Sequence, residues 1–356
     1  MIPENGRVII RVPNWIGDVI MSLPAIHTLK AKRRDISITA IAKPWVGDLL
    51  KADPAIDDLI IYTHRRGIKR LKDTYLLTQK LKKKSPDIAI LFQTAFESAF
   101  VPWLARIPVR IGRPTDGRRF LLTHSVKFNL KMLQNHQTNF YIQILKSVVD
   151  IESEMKIPTP KLFLGDTHIH SARQYIQEIN PQGPLIAIAP GAAYGEVKRW
   201  PPERYADVAA SVVSNWNATV IVCGSEGDQD LANIITNNGN RKNIYNLTGK
   251  IPLMTQAALI KMADVAIAND SGLMHVAYSV GTSVIAIFGP TRPEATGPIG
   301  DHHVVLHKPP DCAPCKLKPC PIENDCMKRI STREVLSAIS NILSTYDNKL
   351  FRRDKK

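Results

Sequence analysis

The sequence predicts an α/β protein with two halves, each built on a doubly wound parallel sheet. Short apolar strands alternate with amphipathic helices along the chain, and a proline-rich stretch at 151–184 separates two such series. The length of 356 residues, 44% of them hydrophobic, is enough for about two domains with sizeable cores. Because ligands of such sheets bind outside the carboxyl ends of the strands, the loops that follow the strands are where function is expected.

The first half starts with a strand over 7–12, a loop over 13–17, an amphipathic helix over 18–32 and a second strand over 36–42. A further strand at 88–92 repeats the pattern. Apolar runs of this length, bounded by turn residues, are typical of buried parallel strands.

The second half continues the alternation. We predict strands over 185–189, 219–223 and 265–267, and helices over 168–179, 202–216 and 228–237. After the last strand come a tight Asp-Ser-Gly turn, a helix that contains His275, another strand and a Gly-Pro-Thr loop.

The domain boundaries follow from these patterns. We place one domain at 1–165 and a second at 184–335, with a hinge region over 166–183 and a C-terminal helix and basic tail over 336–356. No short internal repeat is visible, which disfavours a solenoid.

The net charge of +15 is concentrated in the first half, where 25 Lys and Arg stand against 12 Asp and Glu in residues 1–150. The stretch 64–84 alone has nine basic residues and one acid. This half is expected to meet an anionic partner, such as a phosphorylated acceptor, an acidic membrane face or a nucleic acid. Without any nucleic-acid-binding signature, the last of these is disfavoured.

The N-terminus has no apolar region of signal-peptide length, and no stretch approaches the roughly 20 apolar residues of a membrane span. We therefore expect a cytoplasmic protein.

The segment 263–291, ADVAIANDSGLMHVAYSVGTSVIAIFGPT, predicts a site for a nucleotide diphosphate. Asp270 and Ser271 supply helix-capping chemistry, and Gly272 lets the backbone approach a ligand. The free N–H groups of the next helix turn, which also carries His275, suit a phosphate. The alternative is that the capping residues do no more than cap and that His275 is a satisfied surface histidine.

Two other loops of the second half carry suitable groups. Lys198 and Arg199 are candidates to meet a diphosphate leaving group, and the alternative is that each lies along the surface. Glu226 and Asp228 could accept hydrogen bonds from ribose hydroxyls, or could be ordinary acids at a helix N-terminus. Neither GxGxxG nor GxxxxGK[ST] is present, which disfavours dinucleotide oxidoreductases and P-loop ATPases.

In the first half, the loop VPNWIGD leads from a strand into a helix. Gly17 permits close backbone approach, and Asp18 is a candidate general base. N-capping of the following helix is an equally good explanation of Asp18.

Four cysteines form the pattern CAPCKLKPCPIENDC, with C-x2-C-x4-C-x5-C spacing at Cys312, Cys315, Cys320 and Cys326. In a reducing compartment such a cluster is more often a metal site than a disulfide pair, with zinc first and an iron–sulfur cluster second. Free or reversibly oxidised thiols are the alternative, because the spacing departs from that of standard zinc sites.

The motifs NWIGD with the following MSLPAIHTLK, PGAAYGEVKRWP, NDSGLMHVA and FGPTRP together resemble the ADP-heptose-dependent lipopolysaccharide heptosyltransferases of glycosyltransferase family 9. Within that family the likeness is strongest to members that add the second heptose. The resemblance implies a GT-B fold, in which two Rossmann-like domains with parallel sheets face each other across a cleft. It also implies an inverting transfer of heptose from ADP-heptose to a heptosylated Kdo-lipid A acceptor at the inner face of the inner membrane.

Residue roles follow by resemblance. Asp18 is the base and Lys198 stabilises the departing diphosphate. The predicted donor-binding residues are Gly17, Glu226, Asp228, Asp270, Ser271, Gly272, His275 and Thr291. The predicted acceptor-binding residues are Lys43, Arg113, Arg118 and Arg119. No cofactor is required for catalysis, because positive charge at the diphosphate is already supplied.

Other functions stay open at this point. Another member of the same family, adding the first or third heptose, and a sugar-nucleotide epimerase or hydrolase of the same architecture fit many of these residues. We expect no nucleic-acid partner, and an anionic membrane surface as a peripheral contact.

Overall fold

The chain forms two compact units, Met1–Phe163 and Leu164–Lys356. The computed structural model describes residues 2–63, 65, 67–128, 135–152, 158–237, 242–315 and 317–353, and only the backbone for 345–353. The predicted hinge region, 166–183, is mostly the helix Asp166–Ile179, which packs within the second unit against the helix Leu253–Met262. The unit boundary therefore precedes this segment, because an amphipathic helix has to bury its apolar side against a neighbour.

The first unit contains a six-stranded parallel sheet in the order β3-β2-β1-β4-β5-β6. Its strands are β1 Arg7–Arg11, β2 Ser37–Ala42, β3 Asp58–Ile61, β4 Ile88–Leu91, β5 Val109–Gly112 and β6 His124–Ser125. Its helices are Ile16–Lys32, Pro44–Gly47, Lys69–Lys84, Phe96–Leu104 and Thr138–Lys146, with 3-10 turns at Asp48–Leu50 and Arg119–Leu121. In the central register, Ile10 lies opposite Ala40 of β2 and Ile90 of β4.

The second unit repeats the same topology, with the order β12-β11-β10-β7-β8-β9. Its strands are β7 Leu185–Ala189, β8 Thr219–Val222, β9 Ile244–Asn246, β10 Val265–Asn269, β11 Ser283–Phe288 and β12 Val304–His307. Its helices are Asp166–Ile179, Pro202–Trp216, Gln229–Asn237, Leu253–Met262, Gly272–Ser279, Pro293–Thr296, Asp325–Lys328 and Thr332–Arg353, with 3-10 turns at Glu196–Lys198 and Glu226–Asp228.

Each sheet forms the core of its unit, and helices cover both of its faces. The central strands β4, β7, β8, β10 and β11 are buried along their whole length, as expected for parallel strands with helices on either side. In each sheet the strand order reverses at one point, between β1 and β4 and between β7 and β10. A doubly wound sheet has its binding crevice at this switch point, outside the carboxyl ends of the strands.

The first helix begins earlier than predicted. It covers Ile16–Lys32, with Trp15 as an extended N-cap residue, so that Gly17 and Asp18 lie in its first turn. Within the described ranges, no helix has the length and apolar character needed to cross a membrane.

Candidate functional site

A pocket of about 420 Å³ opens at the switch point of the first sheet. Its walls come from the loop after β1, the loop after β4, the end of β5 and the helix Thr138–Lys146. Its charged side chains are Asp18 and Arg113, its amides are Asn14, Gln93 and Gln137, and Trp15, Phe92, Phe140 and Tyr141 add aromatic surface. An acid and an arginine beside aromatic rings suit a polar ring such as a sugar with an anionic substituent.

The carboxylate of Asp18 faces this pocket and does not cap its helix. The N-cap residue is Trp15, and it makes no side-chain capping bond. Gln137 Nε2 donates to Asp18 Oδ1 over 2.7 Å, and the buried Tyr141 hydroxyl also bonds to this pair. Burial, and then the charge of Asp18, raises the pKa of Tyr141, which keeps the phenol protonated as a donor. Of the two interpretations of Asp18, the structure supports the one that leaves its carboxylate available to a ligand.

Arg113 is the predicted acceptor residue that the structure places in the pocket. Its guanidinium lies 4.7 Å from the ring centre of Phe128 and 5.3 Å from that of Phe140. Stacking of this kind holds the planar group in place and leaves its edge free to bind an anion. Arg119 is exposed, with Nη1 3.4 Å from Ser125 Oγ.

Arg118 differs from its predicted role as an acceptor contact, because its side chain is fully buried. Its Nε donates to the carbonyl of Arg113, and its Nη1 donates to the carbonyl of Gln93 and to Ser98 Oγ. Burial lowers its pKa to about 10. Arg118 therefore fastens the loop after β4 to the end of β5 and shapes the pocket from behind.

Lys43 is also buried, and it does not line the pocket. Its ammonium lies 4.0 Å from the ring centre of Tyr62, and burial followed by the charge of Arg11 lowers its pKa to about 8. The nearby Arg11 lies 3.9 Å from the same ring centre. Because this lysine is buried against Tyr62, the predicted acceptor contact has no geometric support.

At the switch point of the second sheet, Lys198 pairs with Asp270. Lys198 Nζ lies 2.5 Å from Asp270 Oδ2, and both side chains are largely buried. The same carboxylate accepts hydrogen bonds from Thr291 Oγ1 at 2.7 Å and Thr296 Oγ1 at 3.3 Å. An ammonium has three donors, so one bond to Asp270 leaves two for a phosphate.

This arrangement changes the role predicted for Asp270 and Thr291. A carboxylate that accepts three hydrogen bonds and would repel a phosphate acts here to hold Lys198 in place. Thr291 contributes to that anchor. Direct contact of either residue with the sugar of the donor stays a prediction.

Asn269 ties the lysine loop to the end of β10. Its Oδ1 accepts from the backbone N–H of Trp200 and from the Tyr205 hydroxyl, each at 3.0 Å, while its Nδ2 donates to the Pro190 carbonyl at 2.7 Å. Every polar atom of this buried amide is thus used, which fixes both ends of the loop that carries Lys198.

The helix Gly272–Ser279 begins beside this pair. The Ser271 side chain makes no capping bond, and its buried Oγ has no hydrogen-bond partner among the described residues. A buried hydroxyl without a partner is costly, and together with the free N–H groups of the first turn it forms a set of donors for an anion. This arrangement is compatible with the predicted phosphate contacts of Ser271 and Gly272, which stay a prediction.

His275 differs from the prediction. Its ring is buried, lies edge-on to Tyr278 and has Nδ1 3.1 Å from the Tyr278 hydroxyl. The structure therefore supports a satisfied histidine, though a buried one rather than the surface residue considered above. Because the ring is buried beside Tyr278, a direct contact with the donor is not supported.

The two acids after β8 separate into different roles. Asp228 completes a capping box, accepting from the backbone N–H of Ser225 at 3.0 Å and from Ser225 Oγ at 2.7 Å. It also packs against Gly191, where an added Cβ would lie 2.4 Å from the carboxylate. Glu226 is exposed at the strand end and is the better candidate for a ribose contact.

The four clustered cysteines line one small pocket of about 10 Å³ together with Val197 and Pro290, and all of them are free thiols. Burial, followed by the neighbouring thiols, raises the pKa of Cys326 to about 11. Among the residues that the structure describes, no three His, Cys, Asp or Glu side chains already have the arrangement of a metal site. The thiols are gathered, but they are not in ligand geometry.

The loop that carries the four clustered cysteines, which we call the cysteine loop, contacts the segments next to Lys198 and Thr291. Lys318 lies 3.2 Å from the ring centre of Tyr194 and donates to the Tyr194 carbonyl. The backbone N–H of Cys315 donates to the Pro290 carbonyl at 2.9 Å. The loop therefore supports both the segment before Lys198 and the segment before Thr291.

Gln137 is a positioning residue that the sequence did not reveal, and its role can be tested. In Gln137→Leu the carboxylate of Asp18 loses a hydrogen-bond donor, so any reaction that needs this carboxylate as a base should slow by about tenfold, with an altered pH profile of kcat. Gln137→Glu should be worse than Gln137→Leu, because it places a second acid beside the first. Gln182→Leu, at an exposed glutamine of the second unit, is the control. Equal pH profiles for wild type and Gln137→Leu would contradict this role.

Comparison with known proteins agrees with this geometry. The model of glycosyltransferase family 9 (heptosyltransferase) matches residues 74–325. Lipopolysaccharide heptosyltransferase 2 of Salmonella typhimurium is 28% identical over 301 residues, 82% of this chain and 85% of the relative. Lipooligosaccharide heptosyltransferase 2 of Haemophilus influenzae is 29% identical over 317 residues, 84% of this chain and 88% of the relative.

The fold also matches a solved structure. The ADP-heptose lps heptosyltransferase II of Escherichia coli has a TM-score of 0.83 to this chain at 24% sequence identity, covering 96% of this chain and 99% of the other. The predicted fold class is therefore confirmed.

Proposed function

Because the chain belongs to glycosyltransferase family 9, the heptosyltransferases, we propose that it moves heptose from ADP-heptose to the inner core of lipopolysaccharide. The acceptor that we propose is heptosylated Kdo-lipid A, so that the enzyme adds the second heptose. Support for this choice comes from the names of the relatives, which are heptosyltransferase 2 in both Salmonella typhimurium and Haemophilus influenzae.

The observation that carries the donor side of the proposal is the Lys198–Asp270 pair beside the Ser271 hydroxyl, which lies at a helix N-terminus and has no hydrogen-bond partner in the described part of the chain. Lys198 and the first-turn N–H groups would hold the diphosphate, and Lys198 would offset the negative charge that grows on ADP as the bond to heptose breaks. The exposed Glu226 would bind the ribose hydroxyls of the adenosine.

On the acceptor side, Asp18 would act as the general base. Its carboxylate would take the proton from the acceptor hydroxyl as the oxygen attacks the anomeric carbon from the face opposite ADP, which inverts the configuration. Gln137 would keep the carboxylate oriented, and Arg113 would bind an acidic or phosphate group of the inner core.

We further propose that the enzyme works as a peripheral protein at an anionic membrane face on the cytoplasmic side. The basic excess of the first half supports this location.

We also propose that the four clustered cysteines hold a structural zinc ion. Four sulfur donors that face one pocket are the ligand set that zinc prefers, although the thiols have to close in around it. The purified full chain should then contain about one zinc per molecule, and chelation should lower its Tm by several degrees. Cys320→Ser should lose the metal, whereas Cys223→Ala, at the buried cysteine after β8, should retain it. A chain free of zinc and iron, with four titratable thiols in the cluster, would contradict the proposal.

The transfer reaction is tested by incubating the enzyme with ADP-heptose and acceptors that carry no heptose, one heptose or two. We expect transfer to the acceptor with one heptose. Transfer only to the other acceptors would reassign the enzyme within its family. Turnover of ADP-heptose without any acceptor would instead favour the epimerase or hydrolase alternative.

A further inference from the structure

The helix Lys69–Lys84, with its N-cap residue Ile68, has a second apolar side that is exposed. Its inward side carries Leu77 and Leu81, which are buried in the core with Ala99 and Leu121. On the outward side, Ile68 is 83% exposed, Leu71 71%, Tyr75 62% and Leu76 46%. These four positions are spaced i, i+3, i+7 and i+8, which places them on one face of a helix. We call them the docking face.

Basic side chains surround the docking face. The exposed cations of this helix are Lys69, Arg70, Lys72, Lys80, Lys82 and Lys83. Asp73, the one acid in 64–84, is buried and bonded to Arg65, with Asp73 Oδ1 2.5 Å from Arg65 Nη2. The exposed surface of the helix is therefore apolar and positively charged, because its single acid is buried.

We propose that the docking face inserts into the interface of an anionic lipid bilayer and attaches the first unit to the membrane. An apolar patch edged by lysines and arginines fits a lipid surface, since the side chains enter the headgroup region while the cations meet lipid phosphates. The tyrosine suits this depth, because its ring is apolar and its hydroxyl is polar. A nucleic acid would take up the charge but would leave Ile68 and Leu71 without a partner.

This proposal rests on the proposed function in one respect: a lipid-linked acceptor is the reason why the enzyme would work at a membrane. The attachment is rigid because the opposite side of the helix is fixed to the sheet through Leu77 and Leu81. Changes on the exposed side should therefore affect binding to lipid without unfolding the unit.

The test is co-sedimentation of the full chain with vesicles of phosphatidylcholine alone or mixed with phosphatidylglycerol. The wild type should bind the mixed vesicles and bind the neutral ones far less. Leu71→Ser with Tyr75→Ser should weaken binding at least about tenfold, and Lys82→Gln with Lys83→Gln should weaken it by about fivefold per charge, with a smaller salt dependence. Ile234→Ser and Lys261→Gln, exposed positions in the second unit, are matched controls that should bind like the wild type.

Insertion is separated from simple charge attraction by Leu71→Trp. Because the wild type already has five tryptophans, the test is that the emission of the variant shifts further to the blue on mixed vesicles than that of the wild type, and equal shifts would contradict insertion. Unchanged vesicle binding by the Leu71→Ser, Tyr75→Ser variant would overturn the proposal. If the wild type dimerised in solution and this variant did so no longer while binding vesicles normally, the face would instead be an interface between two copies of the chain. Transfer of heptose to a deacylated acceptor in solution should be unaffected by these changes. A chain that binds vesicles through this face yet transfers no heptose would refute the proposed function alone.

Discussion

Replacing Asp18 by asparagine is expected to lower kcat for heptose transfer by about 10²- to 10⁴-fold, the range found when a general base is lost. The amide keeps the size of the carboxylate and can still bond to Gln137, so the pocket should keep its shape. It cannot take a proton from the acceptor hydroxyl. Measured kcat with saturating ADP-heptose and acceptor is the test, and ADP affinity by calorimetry should be unchanged.

The control is Asp48→Asn, which changes an exposed acid of the same unit that pairs with Lys51. Its kcat should equal that of the wild type. If Asp18→Asn retained near-normal transfer, Asp18 could not be the base, and the hydrogen bonds to Gln137 and Tyr141 would be structural only.

Replacing Lys198 by methionine is expected to lower kcat by about 10²- to 10³-fold, the usual effect of removing one charged or hydrogen-bonding group that stabilises a leaving group. ADP should also bind more weakly, since the diphosphate loses a cation. The measurements are kcat with saturating donor, and Kd for ADP by calorimetry.

Loss of the lysine also leaves Asp270 as a largely buried carboxylate with two hydroxyl partners, which can destabilise the fold. The double variant Lys198→Met, Asp270→Asn removes that charge and should regain the Tm of the wild type while kcat stays low. Lys261→Met, at an exposed lysine on the helix Leu253–Met262, is the control. Full activity in the stable double variant would exclude Lys198 from the reaction.

The sequence predicts well those features that depend on local pattern. Strands and helices alternate with clear periods, and the predicted strand 185–189 and helix 202–216 match the observed elements residue by residue. Asp18, Lys198 and Ser271 were identifiable because each lies in a loop or first turn that follows a strand, where a doubly wound sheet binds its ligands.

Contacts between residues that are far apart in the sequence could not be predicted. Gln137 is 119 residues from Asp18 along the chain, and no motif marks it. In the sequence, Arg118 stands next to Arg119 and has the appearance of a surface arginine. Only the fold shows that its side chain points inward and donates to four acceptors. In the same way, the burial of Lys43 and His275 depends on which neighbours pack over them, and composition does not determine that.

The identical strand order of the two sheets has a consequence for how such an enzyme can diversify. Among the described residues, the pocket at the first switch point is lined by side chains of the first unit, and the Lys198–Asp270 pair lies at the switch point of the second. If the acceptor binds in the first unit and ADP-heptose in the second, as proposed above, substitutions in the first 163 residues can alter which acceptor is recognised while the donor site stays as it is. Enzymes with this architecture can then evolve to use different acceptor sugars while they keep the same nucleotide-sugar donor.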